Sequence, residues 1–234
     1  MQHLSKPDVL FLHGAGGGGW EWNVWQRIFQ AHGFDTHAPD FLPSTSGLKK
    51  TTLDDYSQQV QSHLLSMKSP KIIIGASLGG LLAMMNADQA DALVLINPMP
   101  PAPWHTRMPT RENYPDVIPW RSGASLPGTR RALFDSDEMT CLFAFRHWRD
   151  ESGTVVNAAM QGIDVGKPVC PMLVMASESD SDIPFCLTKE VVESLNASFI
   201  NLPKTSHVGP LLGKNASQIA LQAVAYLNNN FPWN

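Results

Sequence analysis

The sequence predicts an α/β fold, namely a mainly parallel six-stranded sheet flanked by helices, with one helical insertion. Short apolar runs alternate along the chain with helical patterns, and this alternation is typical of βαβ units and parallel sheets. The chain has 234 residues, which is enough for one domain with a large core but not comfortably for two. Only residues 98–166 interrupt the alternation. We therefore expect a core formed by residues 1–97 and 167–234.

The first half of the chain supplies three predicted strands and three predicted helices. An apolar run at 9–12 ends in a glycine-rich loop, and a helical pattern follows until a glycine stops it. Residues 34–38 form the second predicted strand, which a Pro-Asp pair closes. Apolar side chains then recur at three- and four-residue steps over 53–67, which predicts an amphipathic helix. The β-branched run at 71–74 is typical of a strand buried in a parallel sheet, and another helix follows it.

The second half supplies the remaining strands and the last helix. Apolar runs at 92–96, 172–176 and 198–202 have the length and composition of strands in the same sheet. The last helical pattern covers about 215–228. These segments complete the six predicted strands.

The insertion at 98–166 is rich in proline, has no evident strand and contains a helical stretch near 137–150. Because it directly follows a strand, its ends are expected near the carboxyl edge of the sheet. We interpret it as a lid over that edge. One or two of its aromatic side chains are expected to line a ligand pocket, and the others to attach the lid to the sheet. These aromatic residues are Trp104, Trp120, Phe134, Phe143, Phe145 and Trp148.

Composition and charge argue against several classes of partner. The formal net charge is −4, so neither nucleic acid nor an anionic membrane surface is a natural partner. No apolar stretch approaches the roughly 18 residues of a membrane span, and the amino terminus does not resemble a signal peptide. The three cysteines show neither disulfide nor zinc spacing. We expect a cytoplasmic protein that acts on a small molecule.

The most informative motif is the Gly-Ala-Ser-Leu-Gly sequence at residues 75–79. It matches the G-x-S-x-G pattern of a nucleophilic serine on a tight turn, and it lies between a buried strand and an apolar helix, as that pattern requires. Glycines flank the serine because such a turn leaves no room for side chains. We predict that Ser77 is the nucleophile and that the backbone N–H of Leu78 helps to stabilise an oxyanion.

The glycine-rich loop after the first strand allows two interpretations. Residues 14–19 satisfy G-x-G-x-x-G, a dinucleotide-binding fingerprint, and Asp35 or Asp40 lies near the expected position of a ribose-binding acid. In a run of four glycines, however, this match carries little information. In the second interpretation, the backbone N–H of Ala15 donates to the oxyanion together with that of Leu78. This second interpretation requires a serine, an acid and a histidine downstream, and all three are present.

His207 is the predicted general base. It follows the sixth predicted strand and precedes the last helix, and active residues of open parallel sheets lie just past the carboxyl ends of the strands. His13 lies beside the glycine loop, and we expect it to be a structural hydrogen-bonding residue. Three acids follow the fifth predicted strand, so the residues alone leave open which of them orients the base. These acids are Glu178, Asp180 and Asp182.

Together these motifs resemble those of the α/β-hydrolase superfamily. The resemblance covers residues 8–97 and 167–230 and includes the His-Gly…Trp-x-Trp opening, the Pro-Asp turn after the second strand and the chain order of serine, acid and histidine. Residues 177–184 resemble the family's G-x-x-D-x-x-x-P segment, with Ser177 in place of the glycine. This resemblance implies that Asp180 is the acid.

The resemblance also implies a compact serine esterase or thioesterase. Such an enzyme cleaves a carboxylic ester or thioester through an acyl-enzyme on Ser77 and needs no metal or cofactor. Lactonases use the same machinery, and the fold hosts many activities. Two alternatives come from other classes: a nicotinamide-dependent oxidoreductase that uses the loop between Gly14 and Gly19, and a non-catalytic ligand receptor on the same scaffold. A serine-directed fluorophosphonate distinguishes them, because covalent labelling of Ser77 favours only the hydrolase.

Overall fold

The computed structural model describes residues 7–231 of the chain. Most of the amino-terminal segment for which we expect no signal peptide lies outside the described residues. No helix within this range is both long and apolar enough to cross a membrane. The strands are β1 (Asp8–Leu12), β2 (Asp35–His37), β3 (Lys71–Ala76), β4 (Ala92–Ile96), β5 (Val117–Ile118), β6 (Glu151–Ser152), β7 (Met172–Ser177) and β8 (Ser198–Leu202).

Six of these strands form one sheet in the order β2-β1-β3-β4-β7-β8, and every neighbouring pair is parallel. The predicted six-stranded sheet is therefore confirmed. Its register aligns the carboxyl ends of the central strands, since Leu12 pairs with Gly75 and Ala76 pairs with Ile96. Residues that directly follow these strands meet at one edge, which is where ligands bind in open parallel sheets.

Helices cover both faces of this sheet and enclose two apolar cores. Alternate side chains of a strand point to opposite faces, so Leu10 lies in one core while its neighbour Phe11 lies in the other. The helices are α1 (Asn23–Ala31), α2 (Leu53–Ser66), α3 (Leu78–Met85), α4 (Trp120–Gly123), α5 (Leu126–Ala132), α6 (Glu138–His147), α7 (Gly153–Met160), α8 (Phe185–Leu195), α9 (Gly209–Leu212) and α10 (Ala216–Asn230).

The two cores hold the helices in place around the sheet. Val60 of α2 and Leu81 of α3 are fully buried in the first core, and Trp25 of α1 and Ala223 of α10 are fully buried in the second. Complete burial of a large apolar side chain stabilises the fold by roughly 1.5–3 kcal/mol. This packing fixes α3 directly behind the turn that carries Ser77.

Residues 98–166 contain four helices, α4 to α7, and α6 is the helix predicted near 137–150. The expectation that this segment contains no strand is wrong, because β5 and β6 pair antiparallel with Ile118 opposite Glu151. Each of these strands has only two residues, which is too short to show the alternation that identifies a strand in a sequence. The lid role of the segment stays a prediction.

Candidate active site

Ser77 lies at the sharp turn between β3 and α3, with φ 52° and ψ −117°. A positive φ strains a residue that is not glycine, at a cost of about 1–3 kcal/mol. Neither flanking glycine has room for a side chain. A Cβ atom on Gly75 would lie 2.2 Å from the carbonyl oxygen of Gly79, and one on Gly79 would lie 2.1 Å from that of Leu12. This crowded turn presents Ser77 to a cavity at the carboxyl edge of the sheet.

His207 follows β8 and lines the same cavity as Ser77. Its Nδ1 atom lies 2.7 Å from Oδ2 of Asp180. Burial lowers the pKa of His207, but the hydrogen bond and negative charge of Asp180 outweigh it, so the pKa of the imidazole is raised above its ordinary value. Because Nδ1 is hydrogen-bonded to Asp180, Nε2 is the ring nitrogen that remains available for proton exchange with a substrate or with Ser77.

Asp180 is the acid, among the three candidates, that contacts the histidine. Its second oxygen, Oδ1, accepts hydrogen bonds from two backbone N–H groups of the same loop, at 2.8 and 2.9 Å. These bonds fix the carboxylate in its orientation toward His207. Glu178 and Asp182 are both exposed, and of the three acids Asp180 is the one hydrogen-bonded to the histidine.

The glycine-rich loop lies directly beside Ser77, since a Cβ atom on Gly14 would lie 3.3 Å from Cβ of Ser77. Ala15 lines the cavity together with Ser77. Within residues 7–231, the backbone N–H groups of Ala15 and Leu78 donate to no other protein group. Both N–H groups are therefore free to donate to a ligand, which is what the predicted oxyanion hole requires.

His13 is a structural residue, as its sequence position suggests. Its Nδ1 atom lies 2.8 Å from the carbonyl oxygen of Gly14, and its Nε2 atom accepts a hydrogen bond from the backbone N–H of Phe41 at 3.0 Å. Burial lowers the pKa of His13 to about 4. The ring is thus neutral at physiological pH, and both of its nitrogens are used within the protein.

Two residues that the sequence analysis did not identify form hydrogen bonds to the loop that contains His207. Asn97 directly follows β4 and donates from Nδ2 to the carbonyl oxygen of His207 at 2.8 Å and to Oγ of Ser177 at 2.9 Å. Asp135, from the 98–166 segment, accepts hydrogen bonds from the hydroxyl and the N–H of Ser206, at 2.6 and 3.2 Å. Only Asn97 carries a sequence signal, because it follows a strand at the carboxyl edge.

The 98–166 segment also forms hydrogen bonds that fix the glycine-rich loop in place. Oε2 of the buried Glu151 accepts a hydrogen bond from the N–H of Gly16 at 3.0 Å, and Oε1 accepts one from the hydroxyl of Tyr56 at 2.7 Å. The N–H of Arg149 donates to the carbonyl oxygen of Gly16 at 2.8 Å. Both backbone groups of Gly16 are therefore bonded to this segment, which fixes the loop that carries Ala15.

The cavity beside Ser77 has a volume of about 780 Å³, within the usual range of small-molecule sites. Ser77 and His207 form part of its wall, and much of the remainder comes from the 98–166 segment. Of the six aromatic residues named for that segment, Trp120 and Trp148 line the cavity. These two indole rings in the wall suit a substrate with an apolar portion.

Among the described residues, one group could gather three metal ligands, namely Asp180, Asp182 and His207, whose ligand atoms lie within 4.8 Å of one another. The Nδ1 atom of His207 is already bonded to Asp180. A metal ion at this place would have to displace that bond. The donor set therefore fits a proton-transfer pair better than a metal centre.

Comparison with known proteins places the chain among its relatives. The sequence profile of the alpha/beta hydrolase family matches residues 9–219. A pyrethroid hydrolase of Sphingobium wenxiniae is 28% identical over 108 residues, which cover 43% of this chain and 39% of that relative. This match thus spans about two fifths of the relative's length.

Two solved structures are similar over nearly the whole chain. A variant of tomato methylketone synthase I has a TM-score of 0.76 and 14% identity, with 96% of this chain and 98% of that one covered. A methylesterase from Arabidopsis has a TM-score of 0.70 and 15% identity, with 94% and 100% covered. At these identities the structures establish a shared fold. Because the family profile matches the chain from β1 into α10, the chain belongs to the α/β-hydrolase family.

Proposed function

We propose that this protein is a serine hydrolase that cleaves a carboxylic ester or thioester through an acyl-enzyme formed on Ser77. One observation carries the proposal: a strained serine shares a cavity with His207, whose Nδ1 atom is bonded to Asp180 at 2.7 Å. Serine is a weak nucleophile until a neighbouring base accepts its proton. An oriented, buried histidine supplies such a base.

In the first half of the reaction, Nε2 of His207 accepts the hydroxyl proton while Oγ of Ser77 attacks the carbonyl carbon. The negative charge that develops on the carbonyl oxygen is stabilised by the free N–H groups of Ala15 and Leu78. Asp180 stabilises the imidazolium that forms. As the bond between the acyl carbon and the leaving group breaks, His207 donates this proton to the leaving group, which departs as an alcohol or thiol.

In the second half, water replaces the leaving group. His207 accepts a proton from the water, and the resulting hydroxide attacks the acyl carbon in the same oxyanion hole. The bond between Oγ of Ser77 and the acyl carbon then breaks, and the imidazolium returns its proton to the serine. The products are a carboxylic acid and the regenerated hydroxyl, so no redox partner or metal is required.

The relatives support the class of reaction. A pyrethroid hydrolase and a methylesterase are among the proteins that this chain resembles. The same fold also carries a methylketone synthase, so the fold alone does not select the reaction. The serine, histidine and carboxylate geometry favours hydrolysis by acyl transfer, with a small-molecule ester or thioester as substrate.

The nicotinamide alternative has less support from the geometry of the glycine loop. Asp40 accepts a hydrogen bond from the N–H of Gly19 at 2.8 Å and pairs with Arg149 at 3.1 Å, so it is engaged within the protein. A Cβ atom on Gly19 would lie 2.0 Å from the carbonyl oxygen of Ala38. This glycine permits close packing within the protein, whereas a dinucleotide site needs an open approach to the pyrophosphate.

A panel of p-nitrophenyl esters and acyl-thioesters, run with and without EDTA, tests the proposal. We expect turnover of at least one substrate, unaffected by the chelator and by dialysis. The same panel is run on Ser77→Ala, which should lose turnover. Its matched control is Ser66→Ala, which removes an exposed serine at the end of α2 and should retain wild-type turnover. Loss of activity on chelation with recovery on adding a metal would contradict the mechanism, as would hydrolysis that persists in Ser77→Ala.

A further inference from the structure

Glu21 is a buried acid in the wall of the active-site cavity that the proposed mechanism does not use. It lies in the 3₁₀ turn Gly19–Trp22, directly after the glycine-rich loop, and is 3% exposed. It lines the same cavity as Ser77 and His207. Its Oε2 atom has no hydrogen-bond partner among the described residues. Buried polar atoms are almost always hydrogen-bonded, so this exception requires an explanation.

The Glu21 carboxyl packs directly against the glycine-rich loop. A Cβ atom on Gly17 would lie 2.1 Å from Oε2 and 2.8 Å from Oε1 of Glu21. The same loop contacts the nucleophile, since a Cβ atom on Gly14 would lie 3.3 Å from Cβ of Ser77. One short loop therefore contacts both the Glu21 carboxyl and the nucleophile.

No cation is bonded to this carboxyl within residues 7–231. The ionisable groups that face it are His207, before α9, and Asp40, after β2, and Asp40 is itself paired with Arg149. His13, at the base of the loop, is buried and neutral. Burial raises the pKa of Glu21 to about 8, although the N–H groups of the loop and His207 favour the anion. The carboxyl is thus mostly protonated at neutral pH.

We propose that Glu21 is a positioning residue whose neutral carboxyl supports the oxyanion loop, and whose ionisation inactivates the site. This inference rests on the proposed serine-hydrolase function. In the transition state, negative charge develops on the oxygen that the N–H groups of Ala15 and Leu78 bind. A carboxylate packed against the same loop repels that charge, and its burial leaves the repulsion poorly screened. It also favours the protonated form of His207 and so reduces the free base.

The dependence of kcat/KM on pH between 6 and 10 tests this proposal on a small ester. In the wild type, activity should rise as His207 loses its proton and then fall about tenfold or more above pH 8. Glu21→Gln preserves the shape of the side chain but carries no charge at any pH. It should keep the acid limb and neutral-pH activity and lose the alkaline fall. Asp54→Asn, which removes an exposed carboxylate on α2, should follow the wild-type profile.

Two results would overturn the proposal: a wild-type profile without an alkaline fall, or the same fall in Glu21→Gln. If the Gln variant does not fold, Glu21→Leu replaces it, and its kcat/KM, expressed relative to its own value at pH 7, should likewise show no alkaline fall. Carboxyl ¹³C NMR supplies a readout independent of turnover, from the difference between wild-type and variant spectra. The signal of the Glu21 carboxyl should titrate with a midpoint near pH 8. A midpoint in the ordinary acidic range of a carboxyl group would refute the proposal even if esters are cleaved. If no ester is cleaved, the proposed function fails, and this midpoint still decides whether Glu21 is neutral.

Discussion

A hydrogen bond of 2.7 Å joins Nδ1 of His207 to Oδ2 of Asp180, although 27 residues separate the two along the chain. Parallel pairing of β7 with β8 brings the loops after these strands together at the carboxyl edge of the sheet. Asn97 binds the carbonyl oxygen of His207 from a third strand end. The orientation of the imidazole therefore depends on residues from several separate loops.

Asp180→Asn should lower kcat by roughly 10³–10⁴-fold, because an amide can stabilise the wrong tautomer of the imidazole and cannot stabilise the imidazolium. The matched control is Asp182→Asn, which changes an exposed acid of the same loop and should remain within a few-fold of the wild type. Steady-state kinetics on one ester measure both variants. The reverse pattern, with Asp182 essential and Asp180 dispensable, would contradict the assignment.

Glu151→Ala should lower kcat by about tenfold or more with little change in KM, because Gly16 and the oxyanion loop lose their anchor. It should also lower Tm, since the Gly16 N–H and the Tyr56 hydroxyl lose a buried acceptor, at about 1–3 kcal/mol each. Tyr56→Phe removes one bond to Glu151 and leaves the bond to Gly16, so its effect on kcat should be much smaller. Equal losses of kcat in the two variants would mean that Glu151 does not act through Gly16.

Trp120→Ala and Trp148→Ala test whether the 98–166 segment selects the substrate. Both side chains line the cavity, so their loss should alter KM and the preference among acyl-chain lengths more than the rate on a small acetate ester. Phe134→Ala is the control, because Phe134 is 53% exposed and does not line the cavity. If both tryptophan variants fold normally and retain the parental preference, substrate selection must come from the loops of the core.

His13 should make the fold sensitive to acid. Its pKa is about 4 in the folded protein and 6.5 ordinarily, so the unfolded chain binds the proton more tightly. The free energy of unfolding should therefore decrease as the pH falls from 6.5 toward 4, by up to about 3 kcal/mol. Denaturant titrations at pH 7 and pH 5 measure this loss. His13→Gln should show a shallower loss, and a slope identical to that of the wild type would exclude His13 as its source.

The sequence predicts those parts of the site that lie within one continuous segment. Ser77 and its flanking glycines form such a segment, and His207 has a defined place after the last strand of the sheet. Asp180 shares its loop with two other acids, so spacing alone does not distinguish it, and the family resemblance is needed to select it. In the structure, Asp180 is the acid that is hydrogen-bonded to His207.

Other features depend on contacts between distant segments, and no local pattern indicates them. Glu151 reaches Gly16 across 135 residues and Tyr56 across 95. The strand that carries Glu151 has only two residues, so its sequence shows no periodicity. Glu21 stands between two tryptophans in a helical pattern, where a charged residue normally faces solvent. Only the packing of the glycine loop shows that it is buried.

Covalent labelling tests the central claim most directly. The wild-type protein is treated with a fluorophosphonate probe and digested, and the modified peptide is identified by mass spectrometry, with Ser77→Ala and Ser66→Ala treated in parallel. We predict a single adduct on Ser77 in the wild type and in Ser66→Ala, no adduct in Ser77→Ala, and at least about 10³-fold lower kcat in Ser77→Ala with the fold intact. Undiminished labelling and turnover in Ser77→Ala would contradict the assignment of Ser77 as the nucleophile.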